Sequence, residues 1–264
     1  MKIIKLDNGL ELLEFQIFEK EKVLRHCITT RKAGASADKY ATLNLSLTVN
    51  DTEENVKHNR SLIAEYFKIS DDKIYLPQQC HTNNVKIIKE TSKIEDLKET
   101  DALITNKPGI LLGVLTADCV PILLFDPVCK VIAAIHAGWR GTVKNIVKIT
   151  LNSMIINFNC KPENILAGIG PSISSERFEV GKEVAGEFNQ LFDKNFGTIQ
   201  FNEKTGKDHI DLQKSNRVLL IREGVKPEKI ENSDLCTYNN TEWFYSARRD
   251  GIQCGRFASF IMLD

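Results

Sequence analysis

The chain has 264 residues, with 35 Lys+Arg against 35 Asp+Glu and a formal net charge of zero. That length buries a sizeable core without disulfide staples, and the charge balance lacks the basic footprint of a nucleic-acid binder. A small-molecule substrate is the expected partner, with no nucleic acid and no membrane.

From the N-terminus, MKIIKLDNGLELLEFQIF alternates polar with apolar residues and carries Asp7, Glu11 and Glu14, so it lacks the apolar core of a signal peptide. No apolar run reaches the roughly 18 residues that a membrane span needs. Seven cysteines without CxxC spacing suit reduced thiols, and a cytoplasmic location is expected. Strand patterns are read at Leu10–Phe18, Val23–Thr29, Ile74–Leu76, Val85–Ile88, Ala102–Ile104, Ile110–Leu115, Val120–Asp126 and Lys130–Ile135. Helical periodicity is read at Asp51–Tyr66, Thr142–Asn157, Glu179–Phe192 and Asp211–Glu223. Lys194–Asp208, rich in Asn, Gly and Lys, reads as an exposed loop or hairpin. Strands and helices do not alternate strictly, so mixed sheets with helices packed outside, an α+β fold, are expected over a doubly wound parallel sheet. No repeat or linker divides the chain, and one domain over 1–264 is expected.

The densest chemical signal is Thr116–Gly141, TADCVPILLFDPVCKVIAAIHAGWRG, where two strand-like runs are bounded by Cys119 and His136. With His81 upstream they make a borderline-soft ligand set that suits zinc, and three protein ligands leave a fourth position for water or substrate. The same pair reads equally as a metal-free nucleophile and base, His136 deprotonating Cys119. Asp118 is a candidate acid/base or ligand-orienting carboxylate beside them. Arg31, Arg60, Arg140, Arg248, Arg249 and Arg256 stand in Gly-rich or polar contexts, and guanidinium forks match phosphate or carboxylate. Arg140 follows His136 by four residues near a predicted helix start. Trp139, Tyr238 and Phe244 are candidates to stack on a planar base. Gly168-Ile-Gly170-Pro171 is too short for a dinucleotide fingerprint, and no GxxxxGK[ST] loop is present.

TADCVPILLFD followed by AAIHAGWRGTVKNI, with QCH (Gln79 to His81) upstream and CT, FYSARRDG and CGR downstream, resembles the YfiH-like, or laccase-domain, family. TTRKAGAS, LNLSL, NR, GPSIS, FEVG and DLQKSN extend the likeness in the family's order over nearly the whole chain. The resemblance implies an α/β sandwich and a zinc-type site on His81, Cys119 and His136; copper fits the same three ligands. It implies purine nucleoside chemistry: phosphorolysis of adenosine, inosine and methylthioadenosine, and adenosine deamination. The alternative it offers is a peptidoglycan editing factor acting on muropeptide precursors, and copper-dependent polyphenol oxidation is its older label.

A multicopper centre needs on the order of ten histidines, and this chain has five. The expected catalytic residues are therefore Cys119, His136 and Asp118. The expected substrate-binding residues are Asn44 of the LNLSL block, Arg60, Arg140 and Arg248, for a purine nucleoside and phosphate. Departures from the family pattern are Thr82, Cys80 and Cys254, and Cys80 offers an alternative thiol beside His81.

Overall fold

The computed structural model describes the backbone of all 264 residues and the side chains of all but residues 94, 95 and 194. β1 (Lys2–Lys5) and β2 (Glu11–Glu14) form a hairpin, followed by β3 (Leu24–Thr29) and helix α1 (Glu53–Phe67). Then come β4 (Ile74–Tyr75), β5 (Val85–Ile87), β6 (Ala102–Thr105), β7 (Leu111–Thr116), β8 (Val120–Asp126) and β9 (Val131–Ala137). The second half holds α2 (Trp139–Val143), α3 (Ile146–Phe158), β10 (Leu166–Ile169), β11 (Glu179–Val180) and α4 (Lys182–Leu191). It continues with β12 (Ile199–Asn202), β13 (Lys207–Ile210), α5 (Leu212–Arg222), β14 (Ile230–Asn232), α6 (Ala247–Asp250) and β15 (Phe257–Leu263).

Two six-stranded mixed sheets, ordered β1-β2-β3-β15-β7-β4 and β14-β10-β8-β9-β6-β5, stack face to face, and β11-β13-β12 form a small third sheet. The period-two geometry of a strand sends alternate residues to opposite faces. In β8 and β9, Leu123, Phe125, Ile132 and Ala134 enter the core between the sheets, with Val114, Phe257 and Ile261 facing them. Their neighbours Ile122, Leu124, Ala133 and Ile135 enter an outer core under Leu151 and Met154 of α3, Phe188 of α4 and Leu219 of α5. Ile63 and Phe67 of α1 cover the other sheet through Leu12, Leu111 and Phe260. The result is helix, sheet, sheet, helix, as the α+β reading expects. Because both faces of β8 and β9 are covered, every residue of each is buried, which explains their unbroken apolar runs.

Local signals set the helix ends. The Thr52 hydroxyl accepts from Asn55 N–H to cap α1, with Glu53 and Glu54 in the first turn, and Asp211 caps α5 through Lys214 N–H. Three readings are corrected and a fourth is resolved. The Thr142–Asn157 helix is two, α2 and α3, broken at Asn145 with φ 58°. The Leu10–Phe18 strand ends early in a 3-10 turn at Gln16–Phe18. Glu179 and Val180 form β11 on β13 before α4 starts. Residues 194–208 hold the β12–β13 hairpin, the second of the two readings offered. No helix among the described residues is long and apolar enough to cross a membrane.

Candidate active site

The site forms where the chain passes from one sheet to the other. β7 ends at Thr116 in the first sheet, β8 begins at Val120 in the second, and Ala117-Asp118-Cys119 make the crossing, with Asp118 at φ 94°. Antiparallel pairing sets Pro121 opposite His136 on β9, returning the imidazole to the end where Cys119 lies. The loop after β4 delivers His81. The Gln79 side chain anchors that loop as a surrogate strand partner, donating to Leu115 O and accepting from Leu115 N–H, both at 2.7 Å.

These segments bring ligand atoms of His81, Cys119 and His136 within 4.8 Å of one another. Cys119 Sγ lies 3.7 Å from His81 Nε2, and the two imidazoles meet edge to face at 4.9 Å. His136 is buried while Cys119 and His81 are half-buried. Two nitrogens and one sulfur converging beside a cavity fit a tetrahedral ion with one position left open. Cys80 stays outside this group: its thiol is exposed and lies 3.6 Å from Gln78 O, so the alternative thiol ligand is not brought to the site.

One buried carboxylate, unremarked in the sequence, organises all of this. Asp101, just before β6, accepts from His136 Nδ1 at 2.7 Å and from the His81 amide at 3.0 Å. Its second oxygen accepts from the Thr82 amide and hydroxyl, each at 2.7 Å. His81 sits at φ 59°, a left-handed conformation that costs an ordinary residue about 1–2 kcal/mol, and the amide bonds to Asp101 offset that cost. Donating Nδ1–H to Asp101 leaves His136 Nε2 as the ligand nitrogen. Burial raises Asp101, but the bond and charge of His136 and the Thr82 donors outweigh it and hold the carboxyl at about 2. Burial likewise opposes ionisation of Cys119, yet His136 and then His81 bring the thiol down to about 6. Burial lowers His136, but the Cys119 thiolate and Asp101 raise it to about 9. In the sequence Asp101 is one charge before the apolar run of ETDALIT, with no local mark of its role. Gly138 is also required: a Cβ there would lie 2.7 Å from His81 Cδ2 and 3.0 Å from Cys119 Sγ.

The cavity over the cluster holds about 410 Å³, within the range of small-molecule sites. Its walls include Trp139, Phe178, Ile173, Leu115, Arg248 and Asp118. Asp118 is buried, accepting from Thr237 Oγ1 at 2.6 Å and from Arg248 N–H at 2.7 Å. Arg248 donates one N–H each to Arg177 O and Glu179 O, leaving three of its five donors uncommitted. Of the stacking candidates, Trp139 lines the cavity while Phe244 is sealed in the core; Phe178 was not anticipated.

Three expected substrate residues stand elsewhere. Arg60 spends Nε and Nη2 on Leu45 O. Arg140 is exposed, with its guanidinium 4.3 Å from the Trp139 ring centroid, outside the cavity wall. Asn44 is fully buried, bonding Asp51, Ser46 and Arg256 N–H; it holds the loop whose Ser46 and Thr48 line the cavity. Polar residues at motif positions were consumed by loop scaffolding.

Only two of the five histidines enter the cluster. His26 accepts from Phe15 N–H beneath Phe18, His58 is exposed on α1, and His209 belongs to β13. The residues fit one ion, and a blue site with a trinuclear cluster lacks its ligands.

Comparison with known proteins gives relatives over essentially the whole chain. A purine nucleoside phosphorylase of Bacteroides thetaiotaomicron is 39% identical over 269 residues, covering 99% of each chain. An adenosine deaminase, RL5, from an unknown prokaryotic organism is 37% identical over 86% of this chain and 89% of its own. The crystal structure of the hypothetical protein YfiH of Bacillus licheniformis superposes with TM-score 0.91 at 29% identity, covering 99% of each chain. The family model described as multi-copper polyphenol oxidoreductase laccase matches residues 25–264. By fold, by relatives and by that match, the chain belongs to the YfiH-like laccase-domain family.

Proposed function

We propose that the chain is a metal-dependent purine nucleoside enzyme, carrying out phosphorolysis of adenosine, inosine or methylthioadenosine and deamination of adenosine. The observation that carries the reading is the convergence of His81, Cys119 and His136 beside a cavity lined by aromatic rings and a partly uncommitted arginine. The names of relatives at 37–39% identity support it. His81, Cys119 and His136 would hold the ion, and zinc suits their nitrogen and sulfur donors. Bound there, it would supply Lewis acidity.

The chain's own groups divide the remaining work. Trp139 and Phe178 offer faces against which a purine can stack. The three free N–H groups of Arg248 suit a phosphate or ribose oxygen. Asp118 is the proposed proton carrier: each of its oxygens accepts one bond and retains a second lone pair. In deamination it would relay a proton from water to the departing amino nitrogen. In phosphorolysis a phosphate oxygen replaces the base at the anomeric carbon, and Arg248 would hold that phosphate in line. The test is base release from inosine with phosphate, and ammonia release from adenosine, by protein of measured metal content. Cys119→Ala should reduce both to background. Wild type without either product, or Cys119→Ala equal to it, overturns the proposal.

A second reading, amide hydrolysis on a cell-wall precursor, is favoured by the order Cys119, His136, Asp101, which is that of a nucleophile, a base and an orienting acid. It predicts iodoacetamide labelling of Cys119 in chelated protein together with release of serine from a muropeptide. Without amino-acid release from muropeptides it fails.

A further inference from the structure

At the far end of β8, roughly 23 Å along the strand from Cys119 at a strand rise of about 3.3 Å per residue, stands a second group of converging ligand atoms. Asp126 closes β8, Cys129 lies in the turn to β9, and Cys160 lies between α3 and β10. The carboxylate and both thiols come within 4.8 Å of one another. We propose that Asp126, Cys129 and Cys160 form a second metal site, selective for a thiophilic divalent cation such as zinc, that clips the β8–β9 turn to the α3–β10 connection.

Several features carry this reading. Asp126 and Cys129 share one turn, and Cys160 joins them from more than thirty positions on, so the fold brings the third ligand to the other two. Asp126 is fully buried and prearranged: Oδ1 accepts from Val128 N–H at 2.9 Å and Cys129 N–H at 3.0 Å, and Oδ2 accepts from Lys161 N–H at 3.3 Å. Those donors orient the carboxylate as an outer shell orients a metal ligand, and one lone pair remains on Oδ2. Cys160 is buried and Cys129 half-buried, so entry is from the Cys129 side. Two sulfurs and one oxygen reject calcium and magnesium, which take oxygen alone, and suit zinc, cadmium or cobalt. The active-site ligands lie at the other strand end, and this inference is independent of the nucleoside reading.

The experiment uses the full chain carrying Cys119→Ser, which removes the only thiol of the first site. Titration with cobalt(II) should develop the near-ultraviolet thiolate-to-cobalt charge-transfer band, saturating at about one thiolate-ligated ion per chain. Adding Cys129→Ala or Cys160→Ala should abolish that band. Cys129 is half-exposed in a turn, so its alanine variant keeps the fold, checked by far-ultraviolet circular dichroism. In the Cys119→Ser chain, excess zinc should raise the unfolding temperature, and Cys129→Ala should remove the shift. The proposal is overturned if the Cys119→Ser chain gives no thiolate band under excess cobalt. It is equally overturned if the band survives Cys129→Ala, or if the reduced pair closes to a Cys129–Cys160 disulfide and zinc does not protect it.

Discussion

Asp101 does more for the candidate site than any ligand, because its two oxygens hold the His136 ring, the His81 amide and both donors of Thr82. Asp101→Asn keeps the shape but turns an acceptor into an NH₂ group, either toward His136 Nδ1–H or toward the Thr82 donors. An unsatisfied buried donor costs about 1–3 kcal/mol, and loss of such an outer partner weakens metal affinity about 10–100-fold. Competition against a fluorescent zinc chelator should show that loss; unchanged affinity would remove Asp101 from the site. Its folded value of about 2 lies below the ordinary 3.8. The stability it contributes is complete above about pH 4 and lost as pH falls through 2. Cys119 is depressed in the same sense, from 9.0 to about 6. In chelated protein its alkylation rate should rise through pH 6 and level off by about pH 7; a midpoint near that of a free thiol would contradict the charge pattern. Cys119, His136 and His81 were legible as residue types able to ligate, and the family blocks ordered them. Asp101 was not, because nothing local distinguishes a carboxylate reaching thirty-five positions forward to an imidazole from one facing solvent.

Elements with two covered faces or a clear amphipathic period were readable, and those set by pairing were not. β8 and β9 stood out as apolar runs, and α1 announced itself through its amphipathic period and acidic first turn. β11 was absorbed into a predicted helix because only pairing with β13 holds Glu179 and Val180 extended. The α2–α3 break is not legible because Asn145 is a tolerable helix residue, yet it takes a left-handed φ of 58°, which asparagine accepts more readily than most residues. Asn145→Ala should therefore lower the unfolding free energy by about 1 kcal/mol, while Asn145→Gly should stay near wild type in urea melts. Equal stability of the two variants would mean that the break relaxes.

For the whole molecule, the site lies where the two sheets exchange chain, so an ion there ties the β7–β8 crossing, β9 and the loop after β4 together. At free ion about 100-fold above its dissociation constant, binding adds about 2.7 kcal/mol, or roughly 5–10 °C in unfolding temperature for a chain of this size. Chelation should remove that increment and zinc should restore it, whereas His81→Ala should respond far less; a chelator-insensitive wild type would argue against a resident ion. The fold class was readable because mixed element order demands sheets covered from outside, but the stacking of the two sheets rests on which parity of each strand faces which core. The double grip of Asp101 also has a kinetic consequence. The two segments it joins are fixed once β6 pairs with β9, so the ordering entropy of the ligands is spent during folding and not on ion capture. Ion exchange then needs no backbone rearrangement, its rate is governed by shedding water from the ion, and amide hydrogens of residues 81 and 82 should remain protected from deuterium exchange after the ion is stripped.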